Sequence, residues 1–196
     1  MSGSAAVDRA APADVVNLAV DHGSVPMQIA ALLTFDPADR PPAAALEAAL
    51  GARLARVPRL RRRLEATPFG CGRPVWVDDP GFALGRHLDV RTLPTAEEDP
   101  GATAAVELLL QRLPRDRPLW RARILTDTGR AAGVVVVMHH ALADGIGGLA
   151  VLATLVDGAQ GEDPAAGTPP RVPAPTVREL AADAWSEFET VEIGGV

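Results

Sequence analysis

A continuous run of hydrophobic residues lies at 134–138, where four valines are followed by a methionine. Because apolar residues occupy both alternating faces of this run, it predicts a strand that is buried on both sides. Apolar residues recur at helical spacing over residues 146–156, which predicts a helix. His139, His140 and Asp144 lie in the connection between the two. In open α/β sheets, ligands and chemistry usually collect at the carboxyl end of a strand, so this connection is the first candidate site.

Similar patterns predict further elements on either side of this segment. Strands are predicted over residues 27–35, 74–77 and 121–125, and the last of these leads through a hairpin turn at 127–129 into the valine run. Helices are predicted from the prolines at 41–42 to residue 57, over 103–113, and over 177–188 behind a T-x-x-E capping box. The pattern as a whole predicts an α/β fold, with a mixed sheet and flanking helices.

Composition divides the chain into four segments. Residues 1–13 are predicted to be a flexible N-terminus, 14–157 a folded unit that contains the two histidines, 158–175 a linker rich in Pro and Gly, and 176–196 a C-terminal helix and tail. At 196 residues the chain is one domain by length. The first residues lack the pattern of a signal peptide, and no apolar run is long enough to span a bilayer.

The two histidines suggest acid–base chemistry. A neutral imidazole is well suited to accept a proton near pH 7. Consecutive residues of an extended chain point to opposite sides, so the two rings cannot face one site equally. We take His140 as the working residue and His139 as its packed, supporting partner. Asp144 either orients His140 in the manner of a triad acid or pairs with an arginine and holds the loop. Arg121 and Arg123, on the neighbouring predicted strand, are the candidate partners.

Other kinds of site are less well supported. Gly145, Gly147 and Gly148 permit positive φ and the close approach of a ligand or another chain. They do not form a G-x-G-x-x-G or Gly-Lys-Ser/Thr pattern, so a nucleotide fold is not indicated. Adjacent histidines are poor joint metal ligands and the single cysteine, Cys71, is distant in sequence, so neither a metal nor a cofactor is expected.

Five stretches together resemble the bacterial wax ester synthase/diacylglycerol acyltransferase family, within the CoA-dependent acyltransferase superfamily. They are H-H-A-L-A-D-G at 139–145, which matches H-H-x-x-x-D-G, and the segments 26–36, 57–64, 73–79 and 116–120, the last reading D-R-P-L-W. They occur in the family's order, although Gln28 stands where the family commonly has histidine. The resemblance implies one half, the N-terminal subdomain, of the two-subdomain fold of chloramphenicol acetyltransferase.

The resemblance also implies a reaction. His140 would be the general base that takes the proton from a diacylglycerol or long-chain alcohol, whose oxygen then attacks the thioester of a fatty acyl-CoA. Acyl-CoA would thus be a substrate. Asp144 would be a structural partner of an arginine, and Gly145 would allow a tight turn. Gly147 and Gly148 are expected near the substrate, and Trp120 either lines an acyl pocket or lies in the core, which is the favoured interpretation for a tryptophan here. His87 is expected to be structural.

Family members, as the resemblance implies, are more than twice this length, and a second subdomain completes their active site. The chain is therefore expected to act alone, self-associated or with a separately encoded C-terminal half. The alternatives are a catalytically incomplete remnant or interaction module and a carrier-dependent, condensation-like domain. The net charge of −6 argues against nucleic-acid binding. The single cysteine fits a cytoplasmic protein, and peripheral contact with a membrane or lipid droplet is left open.

Six arginines between residues 53 and 63 form the densest basic patch. Such a patch could contact the phosphates of CoA or an anionic membrane. It could instead be a solvated surface whose arginines pair with nearby acids, and this second interpretation is favoured because a run of charge is weak evidence of a binding site.

Overall fold

The computed structural model describes residues 7–54, 56–94, 98–142, 152–153 and 173–193. The helices and strands are, in order, α1 (Pro12–Val20), β1 (Gln28–Thr34), α2 (Ala43–Leu54), β2 (Arg62–Glu65), β3 (Val75–Asp78), β4 (Leu88–Thr92), α3 (Pro100–Leu110), β5 (Trp120–Asp127), β6 (Arg130–His139) and α4 (Val177–Ile193). Within the described ranges, no helix combines the length and the apolarity needed to cross a membrane.

A four-stranded mixed sheet organises these elements. Its strands lie in the order β1-β6-β5-β4. Strand β6 is antiparallel to both of its neighbours, whereas β4 and β5 are parallel and are connected through α3. Strands β2 and β3 form a separate antiparallel pair. The predicted valine strand is thus the longest strand and lies inside the sheet, with a partner on each side.

Strand β6 is buried on both faces, as its sequence predicts. Alternate residues of the strand belong to two different hydrophobic clusters. One cluster joins Val134, Val136 and Met138 to Leu50 and Leu54 of α2. The other joins Val135 and Val137 to Ala104 and Leu108 of α3. The apolar stripe predicted in the first of these helices therefore covers one face of the sheet, and α3 covers the opposite face.

Several predicted boundaries need correction. Helix α3 spans Pro100–Leu110 and not residues 103–113. It starts earlier because Asp99 caps it, with the side chain of Asp99 accepting a hydrogen bond from the Ala102 amide, and it ends earlier because Gln111 is extended. Strand β5 extends beyond residue 125 to Asp127. The predicted hairpin turn then follows at Thr128 and Gly129, which both have positive φ.

Residues 7–13, for which the sequence predicts a flexible N-terminus, make defined contacts with the strand β3 region. The Ala10 amide donates to the Pro74 carbonyl (2.8 Å), and the Asp8 carbonyl accepts from the Trp76 amide (2.7 Å). The segment is fixed by these bonds and by the buried guanidinium of Arg9, whose side chain is 4% exposed. Helix α1 follows directly and was not predicted. Pro12 lies in its first turn, and the Ala11 amide donates a hydrogen bond to the side chain of Asp14, which are both features of a helix N-terminus.

Helix α4 packs against this N-terminal segment. Arg9 donates hydrogen bonds to Asp183 (2.6 Å) and to the carbonyls of Leu180, Cys71 and Arg73, each at 2.9 Å. The predicted capping box is present at the start of the helix, because the Thr176 amide donates to Glu179 and the Glu179 amide donates to the Thr176 hydroxyl. The helix continues to Ile193, beyond the predicted end at residue 188.

Parts of the predicted organisation lie outside the described residues. These parts are Asp144, Gly145, Gly147 and Gly148, most of the helix predicted over 146–156, and residues 158–172 of the predicted linker. Leu152 and Ala153 are described and are helical, as expected.

Candidate active site

The two histidines are held at the end of β6 by backbone hydrogen bonds to both neighbouring segments. The His139 amide donates to the Leu119 carbonyl, and the His140 amide donates to the Met27 carbonyl, each at 3.0 Å. Leu119 belongs to the D-R-P-L-W stretch, and Met27 immediately precedes β1. The structure therefore brings three of the stretches that carry the sequence resemblance to one end of the sheet.

The histidines differ in their exposure. His139 is 1% exposed, whereas His140 is partly exposed. His139 is thus the packed member of the pair, and His140 is the member that solvent reaches.

The contacts of His139 determine which ring nitrogen carries the proton and whether the ring is charged. Its Nδ1 accepts a hydrogen bond from the Ala141 amide (3.0 Å), so the proton of the neutral ring is on Nε2. That nitrogen faces Oδ2 of Asp21 at 3.6 Å. Burial lowers the pKa of His139, and the positive charge of Arg115 lowers it further, while the carboxylate of Asp21 acts in the opposite direction. His139 is consequently neutral near pH 7.

Asp21 is the residue of this site that sequence reasoning missed. Its side chain is 7% exposed and accepts hydrogen bonds from the Met27 amide (2.9 Å), Arg112 (2.6 Å) and Arg115 (2.8 Å). Burial alone would raise the pKa of Asp21, but the hydrogen bonds from Met27, Arg112 and Arg115 outweigh that effect and lower the pKa to about 2. Asp21 is thus a carboxylate throughout the physiological range.

Gln28, which stands where the related family commonly has histidine, has a structural role here. Its Nε2 donates to the carbonyls of Leu109 (2.6 Å) and Gln111 (3.2 Å), and its Oε1 accepts from the Leu113 amide (2.9 Å). These bonds satisfy backbone groups at the end of α3, which would otherwise lack partners. The residue opposite His139 in β1 therefore fixes α3 against the sheet.

Trp120 lies in the core, which agrees with the alternative to a substrate-binding role. It is 1% exposed, and its indole N–H donates to the Leu60 carbonyl (2.7 Å). The ring stacks on His87, with 4.7 Å between the ring centroids. His87 is also buried and its Nδ1 donates to the Trp120 carbonyl, while burial lowers its pKa. His87 is therefore a packed residue, as expected.

The two arginines considered as partners of Asp144 make other contacts. Arg121 donates to the side chain of Gln111 (2.8 Å), and Arg123 makes two hydrogen bonds to Asp89 (2.6 and 2.8 Å). Because Asp144 lies outside the described residues, its partner is not assigned.

Arginines of the basic patch form ion pairs with nearby acids. Arg59 and Arg62 pair with Asp8, and Arg63 pairs with Glu65. This arrangement agrees with the interpretation of the patch as a paired surface. Among the residues that the structure describes, no group of three or more His, Cys, Asp or Glu side chains is arranged to hold a metal ion.

Solved structures with the same fold define the class of protein. A wax ester synthase/diacylglycerol acyltransferase from Marinobacter aquaeolei matches with a TM-score of 0.54 and 22% identity, over 73% of this chain and 35% of that one. The starter condensation domain of rhizomide synthetase, in complex with C8-CoA, matches with a TM-score of 0.53 and 19% identity, over 76% and 34%. The chain has part of the fold shared by wax ester synthases and condensation domains, so the predicted fold class is confirmed.

Sequence comparison identifies the family within this class. The family model described as "Wax ester synthase/diacylglycerol acyltransferase catalytic domain" matches residues 11–195. A Mycobacterium tuberculosis protein named "Probable diacyglycerol O-acyltransferase tgs1" is 35% identical over 153 residues, which are 77% of this chain and 30% of that protein. The chain belongs to the wax ester synthase/diacylglycerol acyltransferase family. It spans about a third of the length of the curated relatives that it matches first.

Proposed function

We propose that this chain contributes the general base of an acyl-CoA-dependent O-acyltransferase, which transfers a fatty acyl group to the hydroxyl of a diacylglycerol or a long-chain alcohol. The observation that carries the proposal is the division of the histidine pair. His140 is accessible at the end of the central strand, whereas His139 is neutral and buried behind it. Family membership supports acyl transfer, and the names of the relatives support these two acceptors.

The proposed reaction uses His140 as both base and acid. Its imidazole takes the proton of the acceptor hydroxyl while the hydroxyl oxygen bonds to the thioester carbonyl carbon. The tetrahedral intermediate then collapses, the carbon–sulfur bond breaks, and the imidazolium returns the proton to the departing CoA sulfur. The products are the ester and free CoA, so the histidine is regenerated and no redox partner is needed. The C8-CoA complex of a protein with this fold supports an acyl-CoA donor.

Contact with a lipid surface is part of this proposal, because both acceptors are insoluble in water. The side chains of Phe69, Trp185 and Phe188 are exposed, and the rings of Trp185 and Phe188 lie 6.1 Å apart. Aromatic side chains of this kind favour the interface of a membrane. Sedimentation with phosphatidylcholine vesicles containing diacylglycerol tests the contact. We expect binding that weakens in Trp185→Ser, and equal sedimentation of the variant and the wild type would contradict a role for this surface.

The test of function is release of CoA from palmitoyl-CoA in the presence of a diacylglycerol, hexadecanol or no acceptor. The chain should be assayed as wild type, as His140→Ala and as His22→Ala. Because His22 is an exposed histidine, His22→Ala is a matched control that makes the same chemical change. A positioned general base contributes roughly 100- to 10,000-fold to a rate, so we expect His140→Ala to lose at least about 100-fold and His22→Ala to retain the wild-type rate.

Two results would contradict the proposal. If His140→Ala released CoA as fast as the wild type, His140 would not be the base. If the folded wild type released no CoA with either acceptor, the activity proposed for this chain would be wrong, and the interpretation as a catalytically incomplete module would replace it. Because the chain covers only part of its relatives, the assay should also be run over a range of protein concentrations, so that activity dependent on self-association is detected.

A further inference from the structure

The carboxylate of Asp21 contacts two different parts of the site with its two oxygens. Oδ1 accepts hydrogen bonds from the Met27 amide (2.9 Å) and Arg112 (2.6 Å). Oδ2 accepts from Arg115 (2.8 Å) and faces Nε2 of His139 at 3.6 Å. The last distance is longer than a hydrogen bond, but it is short enough for an electrostatic preference that keeps the N–H edge of the ring towards the carboxylate.

Met27 and His139, which both contact Asp21, also bind the backbone around His140. The carbonyl of Met27 accepts the hydrogen bond of the His140 amide (3.0 Å). The ring of His139 accepts a hydrogen bond from the Ala141 amide (3.0 Å), and the carbonyl of His139 accepts a hydrogen bond from the Leu142 amide (2.9 Å). The peptide groups on each side of His140 are therefore fixed by residues whose own positions depend on Asp21.

The chemistry of this position requires an anionic acceptor. A carboxylate accepts hydrogen bonds at both oxygens, whereas the amide of an asparagine would present N–H groups at one of them. Those N–H groups would face the N–H of His139 and the guanidinium of Arg115. Asparagine would also remove the negative charge that balances Arg112 and Arg115 beside a buried ring.

We infer that Asp21 is a positioning residue for His140, acting through the backbone of Met27 and the ring of His139. This inference rests on the proposed function, because it concerns the orientation of the proposed base. Asp21 does not contact the reactants in this role. It limits the conformations of the turn that carries His140, and such pre-organisation contributes to the rate only when the geometry of the base matters.

The first test measures the ring of His139 directly, in the wild-type protein. The chain has four histidines, so ¹⁵N labelling of histidine gives a simple NMR spectrum in which protonated and unprotonated ring nitrogens are distinguished. His139→Gln assigns the signals by removing one set. We expect a single neutral form of His139 with the proton on Nε2. A proton on Nδ1 would overturn the inference without the need for any variant at Asp21.

The second test compares Asp21→Asn with Asp127→Asn. Asp127 makes a partly exposed ion pair with Arg40 at the far end of β5, so this variant carries the same chemical change at a site away from the histidines. We expect Asp21→Asn to lose the single Nε2-protonated form of His139. In the assay with palmitoyl-CoA and a diacylglycerol, we expect kcat to fall about 10- to 100-fold, because displacement of a catalytic group by about 1 Å has an effect of this size. KM should change much less than kcat.

The outcomes distinguish this inference from the proposed function. A folded Asp21→Asn that kept the wild-type ring form of His139 and the wild-type kcat would overturn the inference alone. If the wild type released no CoA, the proposed function would fail, and the NMR comparison would still decide whether Asp21 fixes the ring of His139. If Asp21→Asn did not fold, Asp21→Glu, which keeps the charge but moves the carboxylate, would take its place, and a wild-type His139 ring form and kcat in that variant would overturn the inference.

Discussion

The hydrogen bonds to Asp21 predict a specific dependence of stability on pH. The pKa of Asp21 is about 2 in the folded protein, against 3.8 for the unperturbed side chain. A carboxyl whose pKa is lower in the folded state stabilises that state when it is ionised. The stabilisation is complete above pH 3.8 and is lost as the pH falls from there towards 2.

The size of the effect follows from the shift. At 1.36 kcal/mol for each pH unit, the change from 3.8 to about 2 corresponds to about 2 kcal/mol of unfolding free energy near neutral pH. At pH 3 roughly half of this contribution remains, because the unfolded carboxyl is then mostly protonated whereas the folded one is mostly ionised. The side chain of Asp21 is 7% exposed, but those of Arg112 and Arg115 are 42% and 46% exposed, so the Coulombic part of the contribution should weaken as salt is added.

The assay is urea unfolding of the wild type and of Asp21→Asn between pH 7 and pH 3. Other groups titrate in the same range, so the informative quantity is the difference between the two proteins at each pH. The neutral, buried His139 and His87 have lowered pKa values, so they destabilise both proteins below about pH 6.5, where the unfolded imidazoles bind protons. The contribution of His87 cancels in the difference. That of His139 does not, because the Asp21 carboxylate raises the pKa of His139, so the comparison should be repeated in proteins that also carry His139→Gln.

We expect the wild type to be more stable than Asp21→Asn by about 2 kcal/mol at pH 6 and by about half as much at pH 3. Asp127→Asn, which loses a partly exposed ion pair, should differ from the wild type by about 1 kcal/mol or less at pH 6. A difference between wild type and Asp21→Asn that stayed constant from pH 6 to pH 3 would refute the reasoning, because the loss would then come from packing and not from ionisation.

Two further substitutions test the packing of the fold. Arg9→Ala removes the partner of Asp183 and of three carbonyls, and we expect α4 to detach. Faster hydrogen exchange confined to α4 and its contacts would show this, and an unchanged exchange pattern would contradict it. In Gly133→Ala, the new Cβ would lie 2.6 Å from the Leu33 carbonyl oxygen, which costs roughly 1–3 kcal/mol in urea unfolding. Gly85→Ala, with nothing within 4 Å of the new Cβ, should be near neutral, and equal losses in both variants would contradict this account.

The sequence predicts those elements whose signals are local. The valine run of β6 has apolar residues at every position, the stripe in α2 repeats at helical spacing, and Thr176 and Glu179 form a capping box within four residues. Each pattern depends on the preference of a short segment for one conformation. The assignment of His139 as the packed histidine has a similar basis, because adjacent residues at the end of a strand point to opposite sides.

The sequence could not predict the role of Asp21, because its partners are distant along the chain. Arg112 and Arg115 are 91 and 94 residues away. Nothing in the local sequence of Asp21 distinguishes a buried carboxylate from an exposed one. The sequence around Arg9 predicts a flexible segment for the same reason, since the partners of the Arg9 guanidinium lie between 62 and 174 residues away.

The bonds of Arg9 also have a consequence for the order of folding. Arg9 and Asp183 are 174 residues apart, so Asp183 is synthesised well after Arg9. The β5–β6 hairpin needs only a two-residue turn, and its pairing can form as soon as that stretch has emerged. The sheet that presents the histidines can therefore assemble before α4 docks against Arg9, and that docking closes a loop of 174 residues.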